Sequence, residues 1–585
     1  MIKPVLRCVT AIALAACGSS PPGPGAADCD AWHQWGNNAS HDGQSCVRGQ
    51  PLQARLDDTV YDPFIAMETA DAGGELIIHY QAPLIDGDDL YMMTKKGTYT
   101  PCHPTDAGPS CGDPDELYRL NSQIWSEQHF AIDAHGKLTL TWSFDSDWKP
   151  EPATGFEPMF QPALASGLVA IPGAGGALWE VDAASGDMVR HVQPFGAAID
   201  PDLYVAGGLA VASDGTIYYN ALALDHDQPL TVASQAWLVA VAPDGTARTV
   251  DYATLIPQAP AADAQCIGRY DLTITPLPWP PVNPDGSQIA APTAPCGPQR
   301  PGINTTPAIG SDGAIFVATR AHGNERYAYL AALAPDLSLR WATSLRDYLH
   351  DGCGVTTASD GTDTDHTFDC RAGTPMGLER TTGVLPAGAV DDQSSSSPVA
   401  LPDGGVVYGA FTGYNGARGH LFKLDRTGAI AGDYDFGWDT TPAVFGDAAD
   451  YKIVVKDNHY GQDADGVDLG PFYITELDAA LDVRWKFQSS NTRSCVRNPD
   501  STTSCTDDHP HGFEWCINAP AVDRDGTVYA NSEDGYAYAI SSDGRIRDTV
   551  FLDQALGAAY TPISLDRAGR ILALNSGHLS ILGKP

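Results

Sequence analysis

An all-β fold assembled from copies of one strand–turn–strand unit is what this sequence predicts, and three observations predict it. One phrase recurs: a small residue or Pro, a short apolar run, a tight Asp-Gly-type turn, then a β-branched and aromatic run. It reads Thr306-Pro-Ala-Ile-Gly-Ser-Asp-Gly-Ala-Ile-Phe-Val-Ala-Thr319, then Ser397-Pro-Val-Ala-Leu-Pro-Asp-Gly-Gly-Val-Val-Tyr408, then Ala519-Pro-Ala-Val-Asp-Arg-Asp-Gly-Thr-Val-Tyr529. The composition agrees, with 59 Gly and 44 Pro to make tight turns and 43% hydrophobic residues to fill a core. The two chain ends also complement one another, as set out below. Repetition of a four-stranded antiparallel unit at this period predicts a β-propeller.

Each unit reads as strands A to D. In the clearest one, strand A is Pro307–Gly310, the turn Asp312-Gly313, strand B Ala314–Thr319, strand C Tyr327–Leu333 and strand D Leu339–Leu345. Alternation and β-branched residues favour strands, and two-residue Asp-Gly loops set the register. Similar units begin near Pro83, Pro162, Gly208, Pro307, Pro398, Pro442, Pro520 and Pro562, about eight in all. Seven is the alternative, if the loop-rich second or third unit is misread. The last unit, Ile563–Leu582, has only three strands. Glu75-Leu-Ile-Ile-His-Tyr-Gln81 resembles the strand-D segments Val483–Gln488 and Leu339–Thr343, so it is expected to complete the last blade and close the ring. The division expected is a signal peptide at 1–16, a tether at 17–30, an opening segment at 31–74 and the propeller at 75–585.

The first residues read as a targeting signal. Lys3 and Arg7 precede the short apolar stretch Val9–Leu14, and Leu14-Ala15-Ala16-Cys17-Gly18 resembles the lipobox of bacterial lipoproteins. That resemblance implies lipidation at Cys17 and, with Gly18 following, an outer-membrane location, the domain facing either the periplasm or the cell surface. Ser19–Ala27 then reads as a flexible tether. The formal charge is −39, from 34 basic and 73 acidic residues. Such a field repels phosphate backbones and argues against nucleic acid as a partner; cationic ligands or divalent metals suit it better.

The cysteines agree with export. Cys29/Cys46, Cys102/Cys111, Cys266/Cys296, Cys353/Cys370 and Cys495/Cys505 fall in close pairs and read as local disulfides, leaving Cys516 over. None has the CxxC spacing of a zinc ribbon or thioredoxin motif. Trp142, Trp179, Trp341 and Trp485 recur at what read as equivalent blade positions, where packing between blades is expected.

Val181-Asp-Ala-Ala-Ser-Gly-Asp-Met-Val-Arg190 resembles the repeat of PQQ-binding-like β-propellers. The opening Trp32-His-Gln-Trp-Gly-Asn-Asn-Ala-Ser-His-Asp-Gly43 is similar to the W-x-x-[FW]-G-x-N-x-x-H-x-G stretch that precedes many of them. That family includes quinoprotein dehydrogenases and the lipoprotein subunit of the outer-membrane protein assembly machine, so the resemblance implies the fold and leaves the activity open.

The insertions are not scattered. Thr254–Asn304, Arg346–Ser396 and Ser489–Asn518 join strand D of one blade to strand A of the next, while Gly97–Ser122 and Asn458–Pro471 join strands B and C. In an antiparallel meander both kinds of loop emerge on one face, which makes that face the expected site of function. Two acidic stretches there, with Asp360, Asp363 and Asp365 in one and Asp463, Asp465 and Asp468 in the other, are candidate calcium ligands, although neither completes an EF-hand loop. His509 and His511 beside Asp507 and Asp508 are candidate transition-metal ligands.

The function these features favour is a membrane-anchored, non-catalytic scaffold that binds a protein or glycan through its loop-rich face, held to the membrane by its lipid alone. No cofactor is expected; calcium remains open. A PQQ-dependent oxidoreductase is disfavoured, because the chain lacks the adjacent cysteine pair that the resemblance implies over a quinone and any CxxCH haem site. Another propeller enzyme at the channel mouth, such as a hydrolase, lyase or sulfotransferase, stays open, but no nucleophile elbow, zinc motif or phosphate loop marks one.

Overall fold

The protein, seen in a computed structural model, is described over residues 31–585 except 75, 77, 100–121, 152–155, 226–232, 271–280, 351–373, 376, 380, 381, 413–418 and 460–468. Eight antiparallel sheets follow one another around a ring. Their innermost strands are Leu84–Asp86, Ala163–Ala165, Leu203–Val211, Ala308–Ile309, Val399–Ala400, Ala443–Asp447, Ala521–Val522 and Thr561–Leu565, for blades 1 to 8. These are the eight units read from the repeated phrase.

Blade 8 is closed by an N-terminal strand, but not by the segment expected. Its strands Thr561–Leu565, Ile571–Asn575 and His578–Gly583 are completed at the outer edge by Ala54–Val60, which pairs Ala54 with Gly583 and Val60 with His578. Residues 78–81 instead cross the channel mouth. Both segments carry alternating apolar residues, but Ala54–Val60 is half polar because one of its faces meets solvent at the rim. Ile78–Gln81, His79 and Gln81 included, is buried throughout, which is what an outermost strand avoids.

Three of the four tryptophans join neighbouring blades in one way. Trp142, Trp341 and Trp485 sit on the outermost strands of blades 1, 4 and 6 and lie against the strand C–D turn of the next blade, over Gly186, Gly428 and Gly544. Each of these glycines has a positive φ, of 75°, 85° and 74°. A Cβ there would fall 2.5 to 2.8 Å from the indole, so the turn must be glycine for the ring to dock. Trp142 Nε1 donates to the Ala183 carbonyl at 3.0 Å and Trp341 Nε1 to the Arg426 carbonyl at 3.1 Å. Trp179 departs from the expectation. It lies on strand C of blade 2, donates to Asp147 Oδ1 at 2.8 Å and stacks on His191. Counting along the sequence placed it one strand too far out.

The residues before each inner strand form a circumferential ring of hydrogen bonds. Ala82 N donates to Gln161 Oε1, Gly208 N to Thr306 Oγ1, Thr306 N to Ser397 Oγ, Ser397 N to Thr441 Oγ1, and Thr441 N to the Asn518 carbonyl. Ile517 pairs with Thr561 of blade 8, and Tyr80 N donates to the Tyr560 carbonyl, which returns the ring to blade 1. The Ser or Thr before Pro in the repeated phrase is thus a blade-to-blade acceptor, satisfying buried amides that no strand partner reaches.

Candidate functional site

The opening segment makes one lap around the inner end of the channel, on the face of the strand A–B turns. Trp32 pairs with Ile85 of blade 1, the His33 carbonyl accepts from Leu164 of blade 2, and Gln34 Oε1 accepts from Val211 of blade 3. The Ala39 carbonyl then accepts from Ile309, the Ser40 carbonyl from Ala400, the Asp42 carbonyl from Val444 and the Gly43 carbonyl from Val522, taking in blades 4 to 7. Gln50 N donates to Gly569 in blade 8. Several residues of the quoted stretch hold this lap in place. Trp35 is fully buried against Ala82, Met159 and Ala519 and donates to Thr441 Oγ1 at 3.0 Å, stopping the axis. Gly36, Asn37, His41 and Gly43 all have positive φ, which bends the strap into a circle. His41 Nδ1 meets the Pro398 carbonyl at 2.9 Å, and burial pushes its imidazole down to about 4, so it is neutral.

The opposite face carries the long loops. Two described insertions are folded as disulfide-tied hairpins: Gln265–Ile267 with Thr293–Pro295, joined by Cys266–Cys296, and Arg493–Arg497 with Thr503–Asp507, joined by Cys495–Cys505. Cys46 is also disulfide-bonded. Its expected partner Cys29 lies outside the described residues, as do Cys17, Cys102, Cys111, Cys353, Cys370 and all six candidate calcium ligands, Asp360, Asp363, Asp365, Asp463, Asp465 and Asp468.

The mouth on this face is filled by the chain itself. Ile78 pairs with Glu157, and His79 N donates to the Glu157 carbonyl. The His79 ring reaches the Gln393 carbonyl with Nε2 at 2.7 Å and stacks on Tyr560 at 4.2 Å. Gln393 leads into blade 5, across the ring from blade 1, so this imidazole lies on the axis. Burial pushes it down to about 4, which keeps it neutral and a single N–H donor.

Buried charge surrounds His79. On one side, Lys95 Nζ lies 3.0 Å from Asp62, 3.0 Å from Glu68 and 2.8 Å from Glu157, with the lysine wholly buried. Trp125 Nε1 donates to Glu157 and Tyr80 OH to Asp62. Burial alone would lower the Lys95 ammonium, but the three carboxylates outweigh it and hold it well above its ordinary value. Burial pushes Glu68 up to about 8, against the pull of Lys95. Three acids around one base therefore keep a proton among them at neutral pH. Nearby, Gln81 Nε2 donates to Glu127, whose carboxyl burial pushes up to about 8.

On the other side, Lys456 Nζ pairs with Asp439 at 2.9 Å. Beside it, Glu514, Cys516 and Glu533 bring a thiol and two carboxylates within 4.8 Å of one another, the one such grouping of metal-ligating atoms among the described residues. Cys516 Sγ donates to Glu533 Oε1 at 2.7 Å, and burial, then Glu533 and Glu514, push its thiol well up. Asn458 brackets the Trp515 backbone, accepting from its N–H and donating to its carbonyl, each at 3.1 Å. A third cluster clamps Asp392 between Arg300, at 2.6 and 2.7 Å, and Arg320, at 3.0 Å.

Of the residues singled out from the sequence, His509 bonds Asp508 at 2.7 Å and stacks on Phe513, while His511 is exposed. The buried groups Lys95, Glu157, Asp439, Lys456 and Glu533 were not singled out, since each reads alone as an ordinary strand-end or turn residue. A Lys inside the apolar run Leu90–Lys95 was the one available signal.

No family model and no curated protein matches this chain. Among solved structures it is similar to a europium-containing methanol dehydrogenase, at 10% identity and a TM-score of 0.49, covering 93% of this chain and 89% of that one. It is similar to the quinohemoprotein alcohol dehydrogenase of Comamonas testosteroni, at 11% identity and a TM-score of 0.48, covering 95% and 81%. It is also similar to BamB from Moraxella catarrhalis, at 12% identity and a TM-score of 0.30, covering 73% and 94%.

Proposed function

We propose that this protein is an envelope lipoprotein, anchored through Cys17, whose propeller is a rigid, non-catalytic support for a binding face made by its long loops. The observation that carries this reading is the closure of the axis at both ends by the chain's own residues, Trp35 on one face and His79 with Tyr560 on the other. A propeller enzyme working on its axis needs that space. The loop-bearing rim, with its disulfide-tied hairpins, is then the surface left for a protein or glycan.

PQQ, the cofactor the repeat implies, is a flat, anionic quinone. The residues at this mouth do not fit it. The axial position is taken by the stacked His79–Tyr560 pair, and the walls carry an excess of carboxylates, while Arg300 and Arg320 are both committed to Asp392. Placing an anion there sets like charge against like in a desolvated site.

The test uses photo-crosslinking residues introduced singly on the two faces of the membrane-anchored protein in its native envelope. Adducts from rim positions such as Thr503 or Asn498, and none from A–B turn positions such as Ser166 or Asp403, are expected. Adducts confined to the A–B face, or saturable one-to-one PQQ binding by the purified protein, contradict the reading. Release of the protein from membranes by Cys17→Ala tests the anchor separately.

A further inference from the structure

We propose that the fold joins Lys95 to Asp62 by an amide bond between Lys95 Nζ and Asp62 Cγ, with Glu157 as the base, so that a covalent staple crosses the seam where the ring closes. The staple does not depend on the scaffold reading.

Asp62 stands just past the closing strand Ala54–Val60, and Lys95 lies on the strand Asp89–Gly97 of blade 1. Backbone bonds hold the two together. Tyr61 N and Asp62 N both donate to the Gly577 carbonyl of blade 8, at 2.8 and 3.1 Å, while the Tyr61 carbonyl accepts from Lys95 N at 2.8 Å and from Thr94 Oγ1 at 3.2 Å. The aspartate is thus fixed at once to blade 8 and to the lysine's own strand. Its Oδ2 lies 3.0 Å from Lys95 Nζ, and both side chains are 0% exposed. The carboxyl carbon is therefore one bond away from a contact the fold already makes. Groups held in this way react as though at very high concentration.

The surroundings divide the roles among the three acids. Asp62 is the acceptor: Phe64 N donates to its Oδ1 at 3.0 Å and the Tyr80 hydroxyl to its Oδ2 at 2.9 Å. The first receives the charge that builds on Oδ1 as nitrogen attacks, and the second helps Oδ2 to leave. Glu157 is the base: Trp125 Nε1 anchors its Oε1 at 3.1 Å, and its Oε2 lies 2.8 Å from Nζ, nearer than either other acid. Glu68 meets Nζ with both oxygens at 3.0 Å from the helix Ile65–Asp71 and holds the amine in place. One carboxylate is enough to neutralise a buried lysine; two more are costly to bury as mere counterions.

Lys95 is an ammonium in the resting cluster, since the three carboxylates hold it well above its ordinary value. The reaction has to occur only once per molecule, so a minor arrangement with one of those protons on Glu157 suffices, and burial raises that carboxyl. The free amine forms a bond to Asp62 Cγ, and the π pair of the carbonyl moves onto Oδ1. The two protons that nitrogen loses pass through Glu157 to Oδ2, the Cγ–Oδ2 bond breaks, and Oδ2 departs as water. An ammonium and a carboxylate have become an amide and one water, with no oxidant or cofactor. One positive and one negative charge vanish together, so the net charge of the group is unchanged. With both side chains out of reach of solvent, bulk water does not reach the amide to reverse the step.

The purified mature protein is unfolded, its disulfides are reduced, and its intact mass and tryptic peptides are read by mass spectrometry. The expected mass is one water below that of the reduced chain, with a branched peptide joining Asp62 to Lys95 and no cleavage after Lys95. Lys95→Arg, which keeps the positive charge on a guanidinium that does not deprotonate, and Glu157→Gln are each expected at full mass, with the bond lost. Full mass in the unaltered protein, a missing water that maps anywhere but to Asp62 and Lys95, or a Lys95–Asp62 peptide retained in Glu157→Gln overturns the proposal. The unaltered protein decides whether the bond exists, whether or not the variants fold.

Discussion

The two ends of the channel are closed by opposite means. At the A–B turn end, one continuous strap touches all eight blades through backbone amides and carbonyls, a buried indole and a neutral imidazole. At the loop-bearing end, the closure is built from ionisable groups brought from far apart: Asp62, Glu68, Lys95 and Glu157 on one side of His79, and Asp439, Lys456, Glu514, Cys516 and Glu533 on the other. A closure made mainly of backbone hydrogen bonds depends little on pH, its Asp42 carboxyl, which burial pushes up to about 6, being the exception. A closure made of buried charge depends on each partner and on pH, and it leaves a field to which a cation can respond.

The contrast can be broken at its charged end first. Lys95→Ala leaves three buried carboxylates with no counterion and should destabilise the protein by about 3–5 kcal/mol at neutral pH. The loss should shrink at pH 5, where the acids take up protons; equal losses at pH 5 and pH 8, in denaturant unfolding, would deny the role of charge. Trp35→Ala should cost a similar amount, about 3–5 kcal/mol, through the cavity it leaves. That loss should not vary with pH, which separates the two ends. Gly43→Ala is a milder probe of the strap. It forces a side chain to φ 63°, with its Cβ 2.8 Å from the Pro520 carbonyl, at a cost of about 1–3 kcal/mol, read as a lower thermal midpoint.

The smallest expected effect is the pH profile of the unaltered protein. Glu68 and Glu127 rise from 4.5 to about 8 in the fold. The folded state therefore binds more protons than the unfolded chain, and the stability they give below pH 4.5 is lost as pH climbs through 8. His41 and His79 fall from 6.5 to about 4. The folded state binds fewer protons there, so stability present above pH 6.5 is lost as pH drops through 4. The thermal midpoint should peak at about pH 6, and a profile rising steadily to pH 9 would contradict these burials.

How much was legible in the sequence follows the same divide. The blades announce themselves because each is local: the Asp-Gly turn, the Ser or Thr before Pro, and the Gly under Trp142, Trp341 and Trp485 all lie within one repeat or its neighbour. The strap was legible as a motif, though not as a lap, because its residues are contiguous while its partners are not. Assigning the closing strand to residues 75–81 failed because alternation alone does not distinguish an outer strand from an axial crossing, and both segments mix polar with apolar residues. The charged clusters were invisible for a simpler reason. Lys95 and Glu157 are 62 positions apart, and nothing local says that two strand ends from different blades will meet without water.

Hydrogen exchange of the purified mature protein, read residue by residue, tests the closed axis most directly. The account predicts that the amides of His79 and Tyr80 at the mouth, and of Ile309 and Val444 beneath the strap, exchange as slowly as those of the inner strands. Fast exchange at His79 and Tyr80 with slow exchange beneath the strap would mean an open mouth, and would contradict the claim that the chain closes its own channel.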